Sequence, residues 1–199
     1  MPERQSTVNR ETKETKVSVT LILDGSGHFE GTTGNGMLDH LLSQLARHGF
    51  VDLAITAQGD IQTGWHHTAE DVAITLGRAL REAVGEGRGI RRMGHALVPL
   101  DEAIAMVAVD LSGRGHASLN TGLEGTIIND LPGDLVNHML EAMAVEARIT
   151  LHARLLDGVN PHHKAEALFK ALARALADAV SLDVRMGQGI PSTKGTIKG

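Results

Sequence analysis

Cysteine and tyrosine are absent from this chain, and its aromatic rings amount to one tryptophan and three phenylalanines. The lack of cysteine rules out disulfides and thiolate metal ligands. Any bound cation would rest on imidazole and carboxylate, a donor set suited to Mn, Zn, Fe, Co or Ni. So few rings leave little platform for stacking single-stranded bases. Positive charge is also short: the formal net charge is −5, which argues against broad nucleic-acid binding. No apolar run approaches the ~20 residues of a transmembrane helix. The opening Met1-Pro2-Glu3-Arg4-Gln5 is polar and offers no apolar signal core. A cytoplasmic location, with neither membrane nor nucleic acid as partner, is the expectation. At 199 residues there is room for one large domain or two small fused units.

Histidine, by contrast, is plentiful, with eleven residues, and a motif built on it occurs twice. The copies read His66-His67-Thr68-Ala69-Glu70 and His162-His163-Lys164-Ala165-Glu166, each opening an Ala/Leu-rich stretch of helical composition. On a helix, His66 and Glu70 share a face at i,i+4, as do His162 and Glu166. That spacing grips a divalent cation in helical zinc motifs. One such pair alone is more often a cap or a surface feature; two in register argue for metal. His67 and His163 point roughly 100° round the helix from their neighbours. Two ions, or ligands shared between neighbouring copies, is therefore simpler than one ion taking all three groups.

Along the chain, residues 1–9 read as a flexible lead-in. The β-branched alternation from Lys16 to Leu23 predicts a strand, and His28 to Thr32 its returning hairpin partner after Asp24-Gly25-Ser26-Gly27. Met37 to His48 has helical spacing and stops at Gly49. Val51 to Ala57 alternates as a strand, and a helix runs from His66 to about Val84. The second half repeats the plan: strands at 97–102 (an edge, because of Pro99) and 103–111, a helix at 134–148, a strand at 149–155, and a helix from 162 to about 180. A shift of 96 positions (162 − 66) lays the last helix on the earlier one, about half of its positions identical against the ~5–10% expected by chance. His40 and His138 match at a shift of 98. The reading is an α+β fold, internally duplicated as two ββαβα-like halves at residues 1–90 and 91–199, forming one compact unit.

Each half offers a lone helical histidine (His40 or His138), a His-His pair and a glutamate. The set divides evenly into two sites. The expected arrangement gives each site the first His and the Glu of one copy, plus the second His and the lone His of the other, within one chain or straddling subunits. A second unusual stretch, Gly187-Gln188-Gly189-Ile190-Pro191-Ser192-Thr193-Lys194-Gly195, has the glycines, hydroxyls and lysine of an anion-binding tail, though not the order of a Walker A loop. Arg92 and Arg114 stand beside turns and could add phosphate contacts. Lys170 follows Glu166 on the same helix, and Gln44 and His48 follow His40. His28, His95, His116 and His152 read as structural or solvent-facing.

Taken jointly, these segments resemble the imidazoleglycerol-phosphate dehydratase family. The resemblance rests on Arg10-x-Thr-x-Glu14-Thr15, Asp39-His40, the two His-His motifs, Pro99-Leu100-Asp101-Glu102-Ala103, Ser112-Gly113-Arg114, Asn160-x-His162-His163-x-x-Glu166-Ala167-x-Phe169-Lys170-Ala171 and Ile190-Pro191-Ser192-Thr193-Lys194-Gly195. Gly115 follows Arg114 where the family commonly has proline, a turn variation. The resemblance implies a duplicated fold like the second domain of ribosomal protein S5. It implies two Mn2+ ions per active site and a homo-oligomer of 24 subunits with sites at their contacts. It implies a small phosphate substrate with an imidazole ring, from which water is eliminated in histidine biosynthesis. Carried onto matching positions, the metal ligands are His40, His66, His67, Glu70, His138, His162, His163 and Glu166. The substrate contacts are Glu14, Gln44, His48, Arg92, Arg114, Lys170, Ser192 and Lys194. Of these, Glu14 and His48 are the candidate catalytic residues, Glu14 as acid/base. Glu14 follows from the resemblance alone; the eight metal ligands stand out without it. Two competitors remain on residue chemistry, a His/Glu metallohydrolase and a non-enzymatic metal-binding shell.

Overall fold

The computed structural model describes residues 4–197. The chain runs β1 (Gln5–Glu11), β2 (Thr15–Ile22), β3 (Phe29–Thr32), α1 (Gly36–Gly49), β4 (Asp52–Gly59) and α2 (His66–Val84). It continues through β5 (Met93–Leu100), β6 (Ala103–Asp110), β7 (His116–Asn120), a small hairpin of β8 (Ile127–Ile128) and β9 (Leu131–Pro132), α3 (Gly133–Ala147), β10 (Thr150–Asp157) and α4 (Pro161–Val180). Two four-stranded sheets result, ordered β1-β2-β4-β3 and β5-β6-β10-β7. The duplication is thus complete at the level of topology. The matched-residue offset is 88 at His28/His116 and 98 at His40/His138, and the β8–β9 hairpin lies in that interval.

Each half is βββαβα rather than the expected ββαβα, and a different strand went unforeseen in each. In the first half it is β1, which pairs antiparallel with β2 from Gln5↔Ile22 to Glu11↔Lys16. Residues 5–9 are therefore strand and not a lead-in; the first three residues of that expected segment lie outside the described residues. In the second half it is β7. The hairpin expected between Lys16–Leu23 and His28–Thr32 does not form. β3 instead lies parallel to β4, with Phe29↔Leu53 and Thr32↔Thr56. The cause is Asp52, whose Oδ1 accepts from the backbone N–H of Ser26 and His28 at 2.7 and 2.9 Å. That carboxylate draws the connection to the start of β4, and Leu53 N–H then donates to the His28 carbonyl at 2.9 Å.

The helices form a layer between the sheets. β2 alternates Val17, Val19 and Leu21 inward, and β6 does the same with Ala105, Val107 and Val109. α2 packs on β1 and β2, α4 on β5 and β6, and the two halves meet where α1 lies against α4 and α2 against α3. Leu38, Leu41 and Leu42 of α1 and Leu168 and Leu172 of α4 are buried at this contact layer. At the α2–α3 contact, Gly77 lies so close that a Cβ there would sit 2.7 Å from the Met143 carbonyl. The next residue along α2, Arg78, donates from Nε to Glu146 Oε2 at 2.8 Å. Near the start of the two helices Glu70 meets His138 and further on Arg78 meets Glu146, so α2 and α3 run side by side in the same direction. The tail folds back onto the connection between the halves: Gly89 N–H donates to the Gly189 carbonyl, Asp183 N–H to the Gly89 carbonyl, and Arg92 Nη1 to the Pro191 carbonyl. No helix among the described residues is long and apolar enough to cross a membrane.

Candidate active site

In α1 and α4 a side-chain cap fixes where the helix, and with it the histidine, is set; α2 and α3 begin without one. Asn160 caps α4 by accepting from His162 N–H at 2.9 Å, with Pro161 at the first helical position. Asn35 caps α1 by accepting from Leu38 N–H at 2.8 Å, which sets His40 in the second turn. The 3.6-residue period then turns His162 and Glu166 to one side, His162 Nε2 lying 3.2 Å from Glu166 Oε2.

Side-by-side helices bring each such pair against the lone histidine of the other half. His40 Nε2 is 3.1 Å from Glu166 Oε2, and the His40 and His162 rings stack with centroids 5.4 Å apart. His138 Nε2 is 3.1 Å from Glu70 Oε1, and the His138 and His66 rings stack at 4.9 Å. Two three-donor groups result, His40/His162/Glu166 and His66/Glu70/His138, each with its ligand atoms within 4.8 Å of one another. His138 Nε2 is buried and, although 3.1 Å from Glu70 Oε1, makes no hydrogen bond. A buried, unpaired ring nitrogen aimed at a carboxylate and a second imidazole fits a divalent cation, for which all three are ordinary ligands.

The expected grouping holds in part. First His, Glu and lone His come together; the second histidines do not join the other half's group. His67 Nδ1 lies 3.0 Å from Asp60 Oδ1, and His163 Nδ1 lies 2.7 Å from Glu102 Oε2. Asp60 raises the proton affinity of His67, and Glu102 that of His163. The Glu102 carboxyl is held down at about 2, first by the Asn160 N–H and then by His163. Burial pushes the Glu166 carboxyl up, but hydrogen bonds from Lys170 and His40 outweigh it and hold it at about 2.

The expected substrate contacts fall into separate regions of the single chain. Lys170 Nζ reaches Glu166 Oε1 at 2.7 Å, and His48 Nε2 is 3.1 Å from Gln44 Oε1. Burial and then the charge of Lys170 lower the pKa of His48. Arg92 grips both Asp110 oxygens at 2.7 and 3.0 Å and donates to the Pro191 carbonyl at 2.8 Å, tying it to the tail. Ser192 Oγ accepts from Lys194 N–H at 3.2 Å, and the Arg114 side chain is exposed. Arg92 N–H meets α4 at Ala179, nine residues beyond Lys170 and hence roughly 13 Å along the helix. Glu14 Oε2 is 3.8 Å from His67 Nδ1.

Sequence reasoning overlooked Asp60 and gave Glu102 no role, although for Glu102 a signal was present. A shift of 88 lays Glu14 on Glu102, as it lays His28 on His116. It also missed Asp71, a buried carboxylate bonded to Thr15 and, at 2.7 Å, to Arg10 Nε. Asp71 fixes the Glu14 turn to α2 right beside Glu70.

The profile of the family described as imidazoleglycerol-phosphate dehydratase matches residues 33–176. The chain belongs to the imidazoleglycerol-phosphate dehydratase family. A relative of that name from Dehalococcoides mccartyi is 52% identical over 198 residues, spanning all of both chains. One from Methanothermobacter thermautotrophicus is 52% identical over 98% of both. The crystal structure of the dehydratase from Staphylococcus aureus superposes with a TM-score of 0.81 at 33% identity, over 90% of this chain and 99% of that one. The structure from Pyrococcus furiosus, in complex with (S)-C348, gives 0.80 at 34% identity, over 94% and 99%. The α+β architecture with duplicated halves is therefore that of the dehydratase family.

Proposed function

We propose that the chain is a metal-dependent hydro-lyase that converts imidazoleglycerol phosphate to imidazoleacetol phosphate in histidine biosynthesis, in the cytoplasm. The observation that carries this reading is the pair of His/His/Glu groups, each built across both halves, in a chain of the dehydratase family. The proposed ligands are His40, His66, His67, Glu70, His138, His162, His163 and Glu166. Two manganese ions held there would supply Lewis acidity toward the two ring nitrogens of the substrate.

The chain's own residues do the rest. Elimination takes a hydroxyl from one glycerol carbon and a hydrogen from its neighbour; water leaves, and the enol product becomes the ketone. Glu14, an exposed carboxylate beside His67, accepts and returns the proton. His48, its proton affinity lowered by burial and its ring oriented by Gln44 at Nε2, can take up and return a proton at Nδ1. Arg92, Arg114, Lys170, Ser192 and Lys194 hold the phosphate and so orient the ring.

Completion of the site between copies is favoured by two facts. His67 and His163 lie outside both groups of their own chain, and Lys170 stands well away from Arg92 and the tail. We therefore propose a homo-oligomer, of 24 subunits as the family resemblance suggests, with its sites at subunit contacts. The deciding experiment is a dehydration assay on purified protein, with and without chelator and added Mn2+. Activity lost on chelation and restored by Mn2+ is expected. Release of free phosphate in place of dehydration would make the protein a metallohydrolase and overturn the reading.

A further inference from the structure

The two halves use the same carboxylate in different ways. Glu14 and Glu102 occupy matching places, each just before the second strand of its half and beside the second histidine of its half's motif. Glu102 is fully engaged. Its Oε1 accepts from the N–H groups of Val159 and Asn160 at 3.2 and 2.8 Å, and its Oε2 takes His163 Nδ1 at 2.7 Å. Glu14 is not engaged in this way. It stands 3.8 Å from His67 Nδ1, beyond hydrogen-bond reach, and its side chain accepts no hydrogen bond among the described residues.

Asp60 occupies the place that Glu102 fills in the other half. Its two oxygens lie 3.0 and 3.2 Å from His67 Nδ1. Asp60 directly follows β4 and opens a 3-10 turn, Ile61–Thr63. The residue directly following β10 is Gly158, which brings no carboxylate, and the connection there is shorter. The second carboxylate near His163, Asp101, lies 3.8 Å from Nε2, on the other edge of the ring, so only in the first half do two carboxylates approach Nδ1.

An imidazole that donates Nδ1–H to a carboxylate presents the lone pair of Nε2, and such partners orient and strengthen histidine ligands. We propose that Asp60 and Glu102 are positioning residues that fix the imidazoles of His67 and His163. Asp60, by taking this duty in the first half, leaves the Glu14 carboxylate to the substrate. The inference rests on the metal-dependent reading above and adds a division of labour between duplicated halves: one matching glutamate is held in the scaffold and the other released for chemistry.

The test is Mn2+ titration calorimetry on the metal-stripped full-length protein in its native assembly. Wild type is compared with D60A, D60N, E102A, E102Q and E14A, and the melting temperature of each metal-free protein is recorded. D60A and E102A should weaken Mn2+ binding by about 10–100-fold with metal-free melting little changed. D60N and E102Q, whose amide oxygens still accept Nδ1–H, should recover part of the loss and serve should the alanine variants fail to fold. E14A should bind Mn2+ as wild type does. Wild-type affinity in D60A and E102A, or an equal loss in E14A, would overturn the division of labour alone. A wild-type protein that bound no Mn2+ would overturn the proposed function with it.

Discussion

His138 Nε2 stands 3.1 Å from Glu70 Oε1 across the α2–α3 contact, and its counterpart His40 Nε2 stands at the same 3.1 Å from Glu166 Oε2 across α1–α4. The pseudo-symmetry of the duplication thus extends to individual donor atoms. If both groups hold a cation, His138→Ala and His40→Ala should each lower bound manganese, read by elemental analysis after dialysis. The same is expected of His66→Ala and His162→Ala. Full metal retained in all four would remove these groups from the metal-binding role.

Glu14→Gln keeps shape and removes the capacity to take a proton. We expect substrate to bind with near-normal affinity while kcat falls by about 10²–10⁴-fold, the usual weight of a general acid/base. Single-turnover kinetics separates the two effects. Turnover near that of wild type would strip Glu14 of its role.

Deleting residues 190–199 takes away Ser192, Lys194 and the Pro191 carbonyl that engages Arg92. Dehydration should be crippled and manganese content kept, because none of the eight proposed ligands is lost. A truncated protein with intact activity would show that the phosphate is held elsewhere.

Gly77→Ala forces a methyl group to within 2.7 Å of the Met143 carbonyl at a tight helix contact. Overpacking of this kind costs about 1–3 kcal/mol. Urea unfolding should show that loss, and manganese affinity should fall as well, since α3 carries His138. A Gly77→Ala variant as stable as its parent would mean that the two helices separate freely.

Arg78 holds the Glu146 carboxyl below its usual value across the same contact. Because the folded pKa is the lower one, the pair's contribution is present above the unfolded value near 4.5 and is lost as pH falls through the folded value. Both side chains are partly exposed, so the contribution at pH 7 is at most about 1 kcal/mol. Glu146→Gln should therefore be slightly less stable at pH 7, and the deficit should shrink as pH falls below the unfolded value near 4.5. Denaturation curves at several pH values check this; a constant gap at all pH would attribute the loss to packing.

What the sequence made legible follows from where apolar residues are periodic. The four helices and the central strands β2, β4, β6 and β10 bury one face and show it. β1 escaped notice because its outward residues are Gln5, Thr7, Asn9 and Glu11 and only Val8 among the inward ones is apolar. β7 escaped because His116, Ser118 and Asn120 interrupt its small apolar residues. Edge strands need less burial, so less pattern is written into them. The parallel placement of β3 was hidden for another reason: it depends on Asp52, a residue distant in sequence from the turn it captures. At the site, eight donor positions were legible from repetition alone, and six of them meet in the two groups. The fate of His67 and His163 was not legible, because it depends on Asp60 and Glu102, which side-by-side spacing does not reveal.

The crossing of helices between halves has a consequence for the ancestry of the molecule. A polypeptide made of one half alone would own two of the three donors at one pole and one of the three at the other, and would have to borrow the rest from a sister molecule. A fused chain carries that loan within itself, and its two copies are free to differ.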